Sequence, residues 1–528
     1  MTEGSEPAVA PTLRFLLPSV RDLVFLLLFG AIFVGPLSNR PLADADIGWH
    51  IRSGELILHT HSVPRTDPFS ASLPGSPWFA WEWLYDAVLG VLHKLGGLNA
   101  VVWLCALVVA LSMTILLRAL LDGGTGLPLA IVLMLLVLGA AAIHLFARPH
   151  IASWLFSLLW FTALDRWEQS GQAERLRWLF PLSMLLWVNV HGGWIFGLAL
   201  VAIFASAASI EQLRARDAFA TIRASQRARA MWWTFWQSAL VTLLNPYGWK
   251  LHAHIYQYLG NRYLMNRINE FRSPDFHGWS ERCFGVLVIL LVTGLAIRGR
   301  EVRISHVCTA LLAMYAGFYS SRNLPVSAML LALIVGPVLW DKLREVADRA
   351  GTWRAIRGAL SKTVLFAESM AAQEMQLRGH LWPVAAVIAA GVICLQGGSL
   401  GGNQWVRAHF DPQKLPVTAV AFLDSESHER NSGPVLSTDA WSGYLIYHWY
   451  PARRVLIDDR HDFYGTDRVR GYLIMAQGEP GWQSVLAEWK VRTALLPAGA
   501  PLANLLRELP QEWRVTYEDP VAVILEKK

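Results

Sequence analysis

The stretch LVFLLLFGAIFVGPLSNRPLADADIGWH, Leu23–His50, decides how the rest of the chain is read. An apolar run ends in Asp44-Ala45-Asp46, and His50 follows one helical turn past Asp46. Two carboxylates immediately beyond a candidate membrane span can serve as general base and metal ligand. Asp is also a favoured helix N-cap, and a helix is expected at 47–59. Capping accounts for one Asp but leaves the second Asp, Trp49 and His50 unexplained.

The same arrangement recurs along the chain. Arg148-Pro149-His150, Asn189-Val190-His191, Asn245-Pro246-Tyr247 and Arg322-Asn323 each lie at the end of an apolar run. Hydrophobic residues make up 54% of the 528 residues and charged residues 16%. The mean hydropathy is +0.34, whereas soluble domains carry about 25% charged residues. Candidate spans fall at roughly 20–38, 99–119, 127–145, 151–165, 178–190, 193–210, 232–245, 283–299, 304–320, 325–340 and 381–397, about eleven crossings of a core about 30 Å thick. The expected fold is therefore a polytopic α-helical membrane bundle.

Charge orients it. Arg214, Arg216, Arg223, Arg227 and Arg229 crowd one loop, and Lys342, Arg344, Arg349, Arg354, Arg357, Lys362 and Arg378 another. These and the short basic turns at Arg166–Arg177 and Arg298–Arg303 share one parity, which reads as cytoplasmic. The polar motifs share the other. The N-terminus is then cytoplasmic, the first span uncleaved, and the membrane a bacterial inner membrane. The net charge of +6 follows from this loop bias and implies no nucleic acid partner. Cys105, Cys283, Cys308 and Cys394 lie in or beside apolar spans without CxxC pairing, which excludes a disulfide framework or cysteine-rich zinc site.

Two segments depart from the span pattern. Loop 39–98 holds the half-apolar helix 47–59, a Pro-rich turn region, and a second half-apolar helix at 79–95 with Trp81, Glu82, Trp83, Tyr85 and Asp86. Such surface helices suit admission of a lipid-borne substrate. Residues 1–398 form the membrane domain, and 399–528 read as a small extracytoplasmic α/β domain. Strands are expected there at 434–438, 453–459, 491–497 and 513–525, with helices at WSGYLIYHWY and 501–508. The run Asp458-Asp459-Arg460-His461-Asp462 follows a strand end; it reads as a solvated turn of charges or, if functional, as an acceptor contact.

The motif Asp44-x-Asp46 directly after a first span, the helices of loop 39–98 and the α/β tail together resemble the GT-C class of polytopic glycosyltransferases. The stretch DADIGWHIRSGELIL, with VPRTDPFS and PWFAWEWL further on, is similar to bacterial proteins of that kind. The resemblance implies inverting transfer of a sugar from a polyprenyl-phosphate donor to a glycan, lipid or protein acceptor on the extracytoplasmic face. It implies Asp46 as base, with Asp44 as partner or as ligand of a divalent metal, Mg or Mn. The chain lacks a second acidic pair in a later loop, unless Asp275 or Glu270 serves there.

Substrate contacts are expected from His50, Glu82, Arg148, His150, His191 and Arg322. Arg322, in YSSRNLP, can clamp the leaving phosphate bidentately, or simply snorkel from a span end. Arg148 and His150 can bind substrate or shape a tight turn. His191 precedes Gly192-Gly193, which splits one apolar stretch in two, and can bind a sugar or satisfy the broken helix ends. His252 and His254 do not share a helical face and make no metal pair. A transporter or flippase is the competing reading, but the halves show no repeat; a non-catalytic envelope scaffold is another.

Overall fold

The computed structural model of the chain describes residues 14, 16–170, 177–298, 302–348, 354–377, 379–426 and 433–528. Parts of the basic turns, with Arg349 and Arg378, lie outside the described residues, as do the side chains of Arg354 and Arg357.

Among the described residues, fifteen α-helices in chain order build the first part. They are α1 (Val20–Phe33), α2 (Ile47–Thr60), α3 (Trp83–Asp122), α4 (Leu127–Ala141), α5 (His150–Ser170), α6 (Leu179–Val190), α7 (Trp194–Arg214) and α8 (Ala218–Val241). After these come α9 (Trp249–Gly260), α10 (Arg262–Met265), α11 (Trp279–Arg298), α12 (Ile304–Tyr319), α13 (Leu324–Asp348), α14 (Arg354–Gln376) and α15 (Leu381–Leu395). Each expected span falls on one of these helices. Among the described residues, five helical segments are long and apolar enough to cross a membrane by themselves, and α6, α12 and α15 are shorter apolar helices. The protein is a multi-pass helical bundle.

α13 is its axis. Leu324–Gly336 is buried at every position, and the helix packs against α3, α4, α5, α11 and α12. A helix apolar all round belongs at the centre of such a bundle. α1 starts with a capping box, in which Ser19 and Asp22 satisfy each other's backbone amides.

Loop 39–98 differs from its sequence reading in two ways. The second surface helix is the first part of α3, which runs on into its span through a kink at Gly96-Gly97, where Gly97 has φ +59°. α2 is covered by protein rather than left free; Ile47, Trp49, His50, Ile51 and Ile57 are buried. It is clamped between α3 and helix α17 (Asp439–Trp449) of the C-terminal region. Glycines permit both contacts. A Cβ on Gly54 would stand 1.8 Å from the Asp86 carbonyl oxygen, and one on Gly443 would stand 2.4 Å from that of Ala45.

Beyond α15 come the short hairpin β1 (Ser399–Leu400) and β2 (Asn403–Gln404), helix α16 (Val417–Glu426), β3 (Val435–Leu436) and α17. Next are α18 (His461–Gln477), α19 (Trp482–Glu488), β4 (Thr493–Pro497), α20 (Pro501–Arg507), β5 (Trp513–Glu518) and β6 (Ala522–Lys527). The mixed sheet has order β3-β4-β6-β5, with β3 and β4 parallel and the other pairs antiparallel. The strand expected at 453–459 reduces to bridges at Val455, and 513–525 is a hairpin of two strands. Val455 exchanges backbone hydrogen bonds with Phe69 and Ala71 (3.2 and 2.7 Å), so loop 39–98 is stitched to the edge of this sheet.

Candidate active site

The helix ends converge. Asp44 and Asp46 lead into α2, Glu82 leads into α3, and Arg148 precedes α5. His191 breaks α6 from α7, and Arg322 precedes α13. Arg148 lies in the middle: its Nη1 is 2.8 Å from Asp44 Oδ2, 3.0 Å from Asp46 Oδ2 and 2.9 Å from Glu270 Oε1. Its Nη2 is 3.8 Å from Asp459 Oδ2. Glu270 continues the chain to Arg322 Nη1 at 3.6 Å. Arg322 Nη2 donates to His191 Nε2 at 3.3 Å, and its guanidinium lies 5.3 Å from the Phe271 ring. His191 Nε2 is 3.7 Å from Glu82 Oε1, and His50 Nε2 is 3.9 Å from Glu82 Oε2. His50 Nδ1 is bonded to Asp86 Oδ1 at 2.7 Å.

Local geometry assigns the two aspartates different tasks. Asp44 Oδ1 accepts the Asp46 backbone N–H at 3.0 Å, whereas the Asp46 side chain makes no capping bond to α2. Asp44 thus takes the local structural task, and Asp46 is left to its side-chain partners. The Asp46 and Asp459 carboxyls face the same Arg148 guanidinium, one at Nη1 and the other at Nη2. Burial, then the charges of Asp44 and Asp459, raise Asp46 well above the usual carboxylate range, against the pull of Arg148. Burial raises Asp459 too. Burial also pushes Glu82 up to about 7, opposed by His50 and Arg322, and His50 down to about 4, so His50 is neutral at pH 7. Burial would raise Glu270, but Arg148 and Arg322 outweigh it and hold the carboxyl below the usual range.

A cavity of about 60 Å³ opens beside this network. Trp49, Trp78, Phe79, Trp81 and Tyr258 form its aromatic wall, and Glu82, Asp86, Arg148, Arg322, Asp459 and Arg460 its polar lining. Asp46 and His191 lie one contact behind that lining, on Arg148 and Arg322 respectively. His150 is further back: its Nε2 donates to the His144 carbonyl at 2.7 Å, and its ring is edge-on to His191. A second, apolar groove lined by Trp83, Leu84, Leu185, Leu186 and Leu244 begins at the residue next to Glu82.

Sequence reasoning underrated two members of the site. Glu270, kept only as a fallback acid, bridges the two arginines. Asp459 belongs to the charged run set aside as a solvated turn, and Trp49 Nε1 donates to it at 3.2 Å. Asp275 instead caps its own turn, accepting from the His277 amide. His252 and His254 separate as expected, to Thr242 and Asp462.

A divalent metal does not fit this arrangement, because the Arg148 guanidinium lies where the carboxylates meet. Asp44, the expected ligand, directs its free oxygen at Arg148. Among the described residues, Asp165, Glu168 and His306 bring three ligand-type atoms within 4.8 Å of one another. They lie at the other end of α5, and Arg303 bonds both carboxylates.

No family model matches the chain, and no curated protein matches it. Among solved structures it resembles the oligosaccharyltransferase of Archaeoglobus fulgidus in the apo form. The TM-score is 0.53 at 12% identity, over 90% of this chain and 69% of that one. The archaeal oligosaccharyltransferase AglB from Archaeoglobus fulgidus, in complex with an inhibitory peptide and a dolichol-phosphate, gives the same values. The chain shares the fold of these oligosaccharyltransferase structures, as the GT-C resemblance in its sequence leads one to expect. The Archaeoglobus fulgidus enzyme in complex with Zn and sulfate matches with a TM-score of 0.51 at 11% identity, over 91% of this chain and 68% of that one. At these identities the likeness is one of fold, and the chemistry is argued from the site.

Proposed function

We propose that this protein is a membrane glycosyltransferase that moves a sugar from a polyprenyl-phosphate donor to a hydroxyl or amide acceptor on the extracytoplasmic face, with inversion. The observation that carries the reading is the buried Asp46–Asp459 carboxyl pair on one guanidinium, beside Arg322 and an aromatic-walled cavity. The acceptor loses its proton to this pair as it attacks the anomeric carbon. Burial has raised the pair's basicity toward the operating pH, as a general base needs. The bond from the anomeric carbon to the phosphate oxygen breaks, and the lipid phosphate leaves with the electron pair. No proton need be supplied to a phosphate, so the site requires a cation there, and Arg322 fills that role. Trp81 and Tyr258, on the cavity wall, offer aromatic surface for a sugar ring.

The apolar groove beside Trp83 suits a prenyl tail, and the dolichol-phosphate complex of the fold's archaeal representative agrees with a lipid-phosphate ligand. Residues 399–528 act as a separate extracytoplasmic domain that contributes Asp459 to the site. The protein then sits in a bacterial inner membrane with its N-terminus cytoplasmic.

The test is transfer from a panel of purified polyprenyl-phosphate sugars by wild type, Asp46→Asn and Asp459→Asn, each checked for monodispersity in detergent. Expected is transfer by wild type from at least one donor and its loss in Asp46→Asn. Retained transfer in a folded Asp46→Asn protein refutes the assignment of the base.

A further inference from the structure

We propose that Arg148 is the resident cation of this site, holding the place among Asp44, Asp46 and Glu270 that a divalent metal would otherwise take. The geometry is specific. Three oxygens from two segments of the chain, Asp44 and Asp46 on one and Glu270 on the other, meet one nitrogen, Arg148 Nη1, at 2.8, 3.0 and 2.9 Å. The same guanidinium turns Nη2 toward a fourth carboxylate, Asp459. The contacts to Asp44 and Glu270 are N–H···O bonds and the one to Asp46 is an ion pair; a Mg²⁺ ion would draw the same oxygens in to about 2.0–2.1 Å.

Arg148 is poorly placed to leave. Its side chain is 12% exposed, and it stands next to Pro149 in the short connection between His144 and α5. On the far side of Glu270 stands a second cation, Arg322. An incoming dication would meet one arginine at the centre of the site and another at its edge, and displacing Arg148 would leave a charge buried without its partners. The guanidinium also has a consequence for division of labour. With its nitrogens turned to four acids, Arg148 is committed to the carboxylates, and recognition of an anionic group falls to Arg322.

This inference concerns the cation alone. Its test reads bound metal, not sugar transfer, so its failure is distinguishable from failure of the proposed activity. The full chain is purified in detergent, stripped with chelator and titrated with Mn²⁺, and free Mn²⁺ is followed by its paramagnetic resonance signal. Comparison with Asp44→Asn isolates this site and cancels any ion held by Asp165, Glu168 and His306. Wild type and Asp44→Asn are expected to give superimposable titrations. Arg148→Gln is expected to gain one Mn²⁺ per chain, and adding Asp44→Asn to it should remove that ion. Arg148→Met replaces the Gln variant if the latter does not purify as a single species. One Mn²⁺ bound by wild type and lost in Asp44→Asn overturns the proposal. So does a folded Arg148 variant that gains none.

Discussion

Replacing Arg460 by methionine probes how the C-terminal region is held over the site. Arg460 is buried; Nη2 lies 2.7 Å from Asp458 Oδ2 and Nη1 lies 2.7 Å from Asp67 Oδ1. Asp67 belongs to loop 39–98, so the second pair crosses between the two parts. The guanidinium carbon is also 4.7, 5.0, 5.1 and 5.9 Å from the ring centres of Trp78, Phe463, Phe69 and Trp49. Both carboxylates have fully buried side chains. Methionine keeps the bulk but leaves two acids without their cation, which costs about 3–5 kcal/mol for a buried pair broken from one side. At about 1.4 kcal/mol per factor of ten, the opened population rises roughly a hundred- to several-thousand-fold.

Amide hydrogen exchange over residues 67–78 and 455–464 reads that opening directly, as lost protection. A triple variant, Arg460→Met with Asp67→Asn and Asp458→Asn, should recover most of the protection because it leaves no buried charge unpaired. A drop of less than about tenfold in the single variant would refute the ion-pair argument. So would a triple variant no better protected than the single one, because the ring contacts would then carry the stability.

Asp459→Asn removes one of the charges that raise Asp46, so the acid limb of the transfer pH profile should move to lower pH; an unmoved limb would separate Asp459 from the base. Glu82 is raised from 4.5 to about 7, so its contribution to stability is complete below about pH 4.5 and is lost as pH rises through 7. The loss is about 3 kcal/mol at about 1.4 kcal/mol per pH unit; Glu82→Gln should flatten this fall in thermal unfolding measured from pH 5 to 8. Gly443→Ala places a methyl 2.4 Å from the Ala45 carbonyl oxygen and 2.8 Å from Asp46 Cα. It should destabilise by about 1–3 kcal/mol and reduce transfer; an unchanged unfolding midpoint would show that the α2–α17 crossing yields easily. Arg322→Gln should weaken inhibition by a polyprenyl phosphate at least tenfold while leaving the midpoint of unfolding nearly unchanged.

What the sequence determined by itself was the bundle and the list of its polar helix ends. Hydropathy reports a helix buried in lipid or protein directly, so every expected span fell on a helix, and Asp44, Asp46, Arg148, His191 and Arg322 could be named as interruptions of apolar runs. The strands expected at 434–438 and 491–497 and the helix α17 were legible for the same reason, as compact apolar runs between turn signals. Tertiary structure decided what those signals could not carry. α2 looks amphipathic and free, yet the backbone approach of Gly443 covers it, and a glycine's contact partner is not written in its neighbours. Asp459 is 413 residues beyond Asp46, and a charged turn on a strand end has the same local composition whether it faces water or a carboxylate. Arg148 reads locally as a phosphate clamp or a turn former. Only the convergence of three segments, bringing Asp44 with Asp46, Glu270 and Asp459, makes it the cation at the centre of the site.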